Sequence, residues 1–321
     1  MKTAATFKLM LAGTLAAALT TVAYAQPSPG EKDMVLIPHG EFNMGGTHHG
    51  DETPHKVVLD AFFIDKYEAS NKRYGEFMKA TSHAAPAYWD NRRLNKPEQP
   101  VVGVNWFDAK DFCEWEGKRL PTEAEWEKAA KGPEGDNHFP WGHKPDQTKA
   151  NYGQRIGMTT PVDSYPEGAS GYGVYNMAGN VFEWVADWYD PNYYKTSDAL
   201  NPKGPDKGLN FAKQGAVKSL RGGSWLAPEL SIHTTHRFWN QPENNSYGVG
   251  LGFRCAKNVP EKLIEQSREA YIQTLISMGA EKYADALASI EQALKIDPSN
   301  REYLQLRNDI TKQLKPAKKK S

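Results

Sequence analysis

Histidine, cysteine and a few clustered acids are the residues from which chemistry could be built here. His233 and His236 stand three apart in Ser231-Ile232-His233-Thr234-Thr235-His236-Arg237, and imidazole suits copper, iron or zinc. Two ligands do not make a site, and no helical pattern turns this pair to a common face. His48, His49 and His55 gather near Asp51 and Glu52, where a solvated loop is the simpler reading. The chain has two cysteines, Cys113 and Cys255. In an exported chain an even pair invites a disulfide, and chain entropy would make so long a loop worth about 4–5 kcal/mol. Two buried free thiols are the alternative. Glu123, Glu125 and Glu127 open a helix, where acids complement the dipole without any catalytic role. No phosphate-binding Gly-rich loop and no Gly-x-Ser-x-Gly elbow occurs.

The elements that must position these residues are short. Met34–Ile37, Pro38-His39-Gly40 and Glu41–Met44 read as a β-hairpin, followed by a loop over 45–54 and strand-like 56–59 and 62–65. Ser70 can cap a helix over 71–79, with Tyr74, Phe77 and Met78 on one side. Asp108 is the expected N-cap of a second helix that carries Phe112, Cys113 and Trp115 and stops at Gly117. Thr122 and Glu125 form a capping box that opens a third helix over 123–130. From 131 to 215 periodicity fades into Pro, Gly, Asn and aromatic residues. Nine Trp, 27 Gly and 21 Pro imply a fold that turns often and packs rings between irregular loops.

Residues 1–25 read as a secretion signal: Lys2 and Lys8, an apolar stretch from Leu9 to Leu19, then Ala23-Tyr24-Ala25 before Gln26. The mature chain is then periplasmic or secreted, without a membrane span. Basic and acidic residues balance at 39 each, which argues against a nucleic-acid partner. Beyond Pro260 the composition changes. Trp and Cys vanish, helix formers take over, and Tyr283, Leu287, Ile290 and Leu294 recur at helical spacing. Residues 270–300 look like one tetratricopeptide repeat, with Tyr303, Leu304, Leu306 and Ile310 in a last helix. One repeat cannot bury its own face, so it packs on the main domain, on a second copy or on another protein. A plain helical cap is the competing reading. The domains expected are 26–258, a helical tail over 261–314, and a basic, disordered end over 315–321.

Several segments carry a resemblance. They are Met34-Val-Leu-Ile-Pro38, Pro100-Val-Val-Gly-Val-Asn-Trp106, Gly117-Lys-Arg-Leu-Pro-Thr-Glu-Ala-Glu-Trp126 and Phe139-Pro-Trp-Gly142. Asn176-Met-Ala-Gly-Asn-Val-Phe-Glu-Trp184, Arg221-Gly-Gly-Ser-Trp225 and Gly252-Phe-Arg-Cys255 complete the set. In order and content they resemble the formylglycine-generating enzyme (sulfatase-modifying factor) family. The resemblance implies an irregular α+β fold related to the C-type lectin architecture, followed here by a short all-α, tetratricopeptide-like tail. It also implies oxidation of a peptide cysteine to formylglycine by Cu(I) held on two thiolates, soft donors that suit Cu(I). This chain departs from that pattern. Ala227 stands where the first thiolate belongs, and no cysteine lies between Cys113 and Cys255, which match a structural disulfide of the family. Copper is therefore not expected.

By the same resemblance, Ser224 is the serine beside the catalytic cleft, with Trp225, His233, His236 and Arg237 as further candidates to line it. Arg221 and Trp225 could equally tie the last strands to the core. A family calcium site maps onto Asn176, Gly179, Val181 and Glu183, and calcium wants such hard oxygens. A second calcium site near Asn151 lacks its acid, with Gln154 in that region. Three functions follow as expectations. One is a non-catalytic accessory or maturation factor that binds an exported protein or peptide, in part through the 261–314 tail. Another is an oxidoreductase-type maturation enzyme using the same cleft without a cysteine pair, as in siderophore chromophore maturation by some exported family members. The weakest is a calcium-stabilised surface protein.

Overall fold

The structure, a computed structural model, describes residues 33–314 except 211, 212, 214, 246–249 and 299. The expected signal segment and the basic end lie outside the described residues. β1 (Met34–Ile37) and β2 (Gly40–Met44) form as the sequence suggests, but they do not make a hairpin. β2 pairs antiparallel with β3 (His55–Leu59), and β1 pairs antiparallel with β4 (Phe62–Asp65) around them. Burial explains the nesting. Ile37, Phe42, Met44, Val57, Leu59, Phe62 and Ile64 all reach one core around Trp126, which a local hairpin could not supply from two short strands.

β4 also pairs with β9 (Ala256–Asn258), so the last strand of the domain closes on its beginning. A second sheet has the order β7 (Phe238–Asn240), β6 (Lys218–Arg221), β5 (Phe182–Trp188), β8 (Leu251–Phe253), with β5 and β8 parallel. β5 is fully buried for four residues, and its run Phe182-Glu183-Trp184-Val185 shows no alternation from which a strand could be read.

α1 (Asn71–Thr81) starts at Ser70, whose hydroxyl accepts from the Arg73 amide. α2 (Trp106–Trp115) begins earlier than expected. Asn105 is its N-cap, and Asp108 is the third helical residue that completes a capping box. α3 (Glu123–Lys131) carries the box of Thr122 and Glu125. Cys113 of α2 is bonded to Cys255 beside β8, closing a separation of 142 residues, and neither thiol is free. The bond sits in a second core with Tyr74, Phe77, Phe112, Trp184 and Phe253.

Three helices end the described chain: α4 (Glu261–Gly279), α5 (Tyr283–Ile296) and α6 (Arg301–Leu314). Ala286, Ile290, Ala293, Leu294, Tyr303 and Ile310 form a core drawn from these helices alone. The buried face of α5 is covered by α4 on one side and α6 on the other. Among the described residues no helix is long and apolar enough to cross a membrane.

Candidate functional site

α3 carries the acids around which the site is built. Its capping box fixes the first turn and sends Glu123 and Glu127 inward, four residues apart on one face. Arg221, in β6, donates to both, at 3.0 Å to Glu123 and 2.7 Å to Glu127. Arg237 donates to Glu123 through Nε and Nη2, and Lys131 closes on Glu127 at 2.8 Å. Burial alone would raise these carboxyls. Arg237 and Arg221 at Glu123, and Lys131 and Arg221 at Glu127, outweigh it and hold both below the usual range. In sequence these acids look like complements to the helix dipole alone. The capping box was legible, but the partners some ninety or more residues away were not.

The candidates for the cleft separate. Arg237 is buried, and its remaining donors go to the carbonyls of Asp51 and Asp190, with its guanidinium 4.0 Å from the Tyr194 ring centre. Its placement is structural, not that of a group facing a ligand. Ser224 is buried under Gly250, and its Oγ accepts from the Leu226 amide. The Trp225 amide donates to the Asn180 carbonyl, which ties this segment to the 176–184 motif. Ala227 lies in an apolar group with Phe139, Ala150, Tyr152, Ala178 and Ile232. Beside it the Gly153 and Gln154 amides donate to the carbonyls of Ala227 and Trp225. Ile156 and Leu230, on or next to these two paired segments, are 39% and 56% exposed.

His233 and His236 do share a neighbourhood, and it is larger than the sequence suggested. His233 packs 4.3 Å from His48 and 4.8 Å from Phe139, ring centre to ring centre. His138 sits 5.2 Å from His48 and 5.1 Å from His143, and His49 lies 5.0 Å from His236. Six of the nine histidines thus lie together, one aromatic ring away from Ala227. Burial, then the neighbouring imidazoles, pushes His233 and His236 down to about 4, so both are neutral at neutral pH. The 45–54 loop is not simply solvated. His48 and His49 are exposed, but Glu52 is fully buried and Asp51 accepts from the Tyr189 hydroxyl at 2.7 Å. Gly45 permits this fold-back: its φ is +87°, and a Cβ there would lie 2.6 Å from the Glu52 carbonyl oxygen. His55 points elsewhere, bonded to the Thr53 carbonyl and packed on Tyr194.

The 176–184 motif gathers oxygens. Gly179 has φ +80°, and a Cβ there would meet the Asn151 carbonyl oxygen at 2.4 Å. Asn176 donates from Nδ2 to Glu68 and to the Val162 carbonyl, which turns its Oδ1 the other way. Val181 is fully buried, and Glu183 receives a two-pronged bond from Arg254 and a third from Trp126 Nε1. Glu68, missed in the sequence, is buried beside them, and its Oε1 has no hydrogen-bond partner among the described residues. Burial, then Glu183, pushes Glu68 up to about 8. Arg254 and Trp126 thus engage both Glu183 oxygens, and of these two acids only Glu68 Oε1 is left without a hydrogen bond among the described residues. Near Asn151 the fit is poorer: Asn151 Oδ1 is also unpartnered among the described residues, but Gln154 is exposed and no acid joins it.

A cavity of about 840 Å³ lies apart from all of this, between α2, β6 and the start of α4, with Trp106, Arg119, Lys218 and Ile264 in its walls.

The sequence profile described as the sulfatase-modifying factor enzyme 1-like domain matches residues 20–259. The formylglycine-generating enzyme of Streptomyces coelicolor is 33% identical, over 75% of this chain and 96% of its own. The serine/threonine-protein kinase pkn1 of Chlamydia pneumoniae is 37% identical over 73% of this chain, which spans only 39% of that relative's length. Among solved structures, PvdO from Pseudomonas aeruginosa is similar at a TM-score of 0.59 and 27% identity, over 73% of this chain and 100% of that one. Treponema denticola variable protein 1 is similar at 0.58 and 25%, over 70% and 95%.

Proposed function

The chain belongs to the sulfatase-modifying factor enzyme 1-like family, and on that footing we propose that it is an exported accessory or maturation factor that binds a protein or peptide partner without cysteine-pair copper chemistry. The observation that carries this reading is sulfur. Ala227 fills the thiolate position with a methyl group in an apolar setting, and both cysteines are consumed in the Cys113–Cys255 bond. Cu(I) then has no thiolate pair to hold it there. Ile156 and Leu230 offer exposed apolar contact for a peptide beside that position. Binding of cysteine-free and cysteine-containing forms of one peptide tests the reading: equal affinity and no product are expected, and turnover of the cysteine form sinks it.

In the same reading, Asn176, Gly179, Val181 and Glu183, the four positions the family resemblance assigns, hold a calcium ion, with Glu183 sharing its oxygens between the ion and Arg254. Calcium chelation should lower the melting temperature of the wild-type chain, and Asn176→Ala should abolish that response. A melting temperature indifferent to calcium would refute the site.

The histidine cluster favours a second reading, an oxidoreductase-type maturation enzyme that uses the same cleft with non-thiolate chemistry. The similarity to PvdO along that chain's whole length is compatible with either. Oxygen consumption in the presence of the bound partner separates them: none is expected of an accessory factor.

A further inference from the structure

We propose that His49, Glu52 and His236 form a binding site for one divalent first-row transition-metal ion, held by two imidazoles and a carboxylate with its remaining positions open. The three residues come from two distant segments, yet their ligand atoms all lie within 4.8 Å of one another. The His236 Nδ1 to Glu52 Oε1 distance is 3.9 Å, too long for a hydrogen bond. Metal bonds of about 2.0–2.2 Å leave neighbouring ligand atoms roughly 3–4 Å apart, so the spacing suits an ion and not direct contact.

The polar atoms make the same point. Glu52 is 0% exposed, and its Oε2 is held by the Thr235 hydroxyl at 3.0 Å. That bond leaves Oε1 aimed at His236, and Oε1 and His236 Nδ1 are both buried without a hydrogen-bond partner among the described residues. An unpaired buried carboxylate oxygen is costly, and a cation would remove the cost. The Thr235 hydroxyl is the kind of outer contact that orients a ligating carboxylate. His49 closes the group from the solvent side, being exposed and edge-on to His236 at 5.0 Å. It gives the ion a route in and leaves room for water or a partner's group. Two imidazoles and one carboxylate with open positions are a donor set that suits Fe(II) or Zn(II), and Co(II) reports on it optically. The other cluster of this kind among the described residues, Asp65, Glu116 and Cys255, is already filled by Arg73, Lys118 and the disulfide. This site is separate from the calcium motif and does not depend on whether the cleft is catalytic.

The test is titration of the chelator-treated, disulfide-intact full chain with Co(II) followed by visible absorption, and with Zn(II) followed by calorimetry. One equivalent should bind at micromolar or tighter affinity, in the presence of excess Ca²⁺ and Mg²⁺. His49→Ala, which alters an exposed side chain, and Glu52→Gln should each weaken binding by about tenfold or more. His143→Ala, at the far edge of the histidine cluster, should leave it unchanged. Thermal melts of each variant show whether it is folded, and His49→Ala carries the test if Glu52→Gln is not. No binding tighter than millimolar, less than tenfold loss in His49→Ala, or loss that follows His143→Ala instead would overturn the assignment.

Discussion

Between Asp33 and Asn258 the backbone bends through loops, and Arg221, Arg237, Arg254, Glu123, Glu127 and Glu183 are all buried inside it. Between Glu261 and Leu314 three helices satisfy their own backbone, and their ion pairs face water. Arg301 with Glu134 and Lys312 with Asp309 have side chains 45–69% exposed. The difference shows what irregular structure costs. A loop exposes amides and carbonyls that no ladder pairs, and buried arginines and acids fix the loops by bonding to them. Arg221 reaches the Thr234 carbonyl, Arg237 those of Asp51 and Asp190, and Arg254 those of Asp65 and Tyr175. The helical tail has no such need and is held by one small apolar core.

Breaking one partner of a buried network should therefore do the most damage. Arg221→Met takes one charged hydrogen-bond donor from each of Glu123 and Glu127, leaving them to Arg237 and Lys131, and should cost about 3–5 kcal/mol in urea unfolding. If the loss is under about 1 kcal/mol, the arginine is not what fixes the loops. Removing the disulfide with Cys113→Ala and Cys255→Ala together should cost about 2–5 kcal/mol, read the same way. Hydrogen exchange should then rise in α2 and β8 while α5 is unchanged.

A third effect depends on pH. Burial, then Glu123, pushes the Asp187 carboxyl up to about 8, so the folded chain holds a proton that the unfolded chain has released. Its contribution to stability is full below the ordinary carboxyl value of 3.8 and is lost as pH rises towards and through 8. The slope can reach about 1.4 kcal/mol per pH unit, and Asp187→Asn should flatten it between pH 5 and 8. Lys218, pushed down to about 8 by burial, acts above that window and with the opposite sign. An unchanged slope in the variant would show that Asp187 is ionised in the fold. The smallest effect belongs to the tail's surface: Arg301→Ala should change stability by less than about 1 kcal/mol, fading further in high salt.

The same contrast explains what could be read in advance. Local signals were legible: the caps at Ser70 and Thr122, and the helical spacing of Tyr283, Leu287, Ile290 and Leu294. The sequence leaves the α2 cap ambiguous by three residues, because Asp108 bonds back to Asn105 and either residue alone looks like a cap. The sequence favours a β1–β2 hairpin, but adjacency says nothing about which strands share a core, and β1 pairs with β4. At the site, the motif around Asn176 and the missing thiolate at Ala227 were visible from resemblance. Glu52, Glu68 and the gathering of His48, His49, His138, His143, His233 and His236 were not, since only the folded loops bring them together. In sequence Arg237 looks like any cleft residue, and only its bonds to Glu123 set it apart as structural.

The most direct test of the functional reading is mass spectrometry of a cysteine-containing peptide incubated with the disulfide-intact chain, Cu(I) and oxygen. With Ala227 where the family resemblance expects a thiolate and Cys113 bonded to Cys255, the peptide should keep its thiol or form ordinary disulfides. Conversion of that cysteine to an aldehyde would contradict the account.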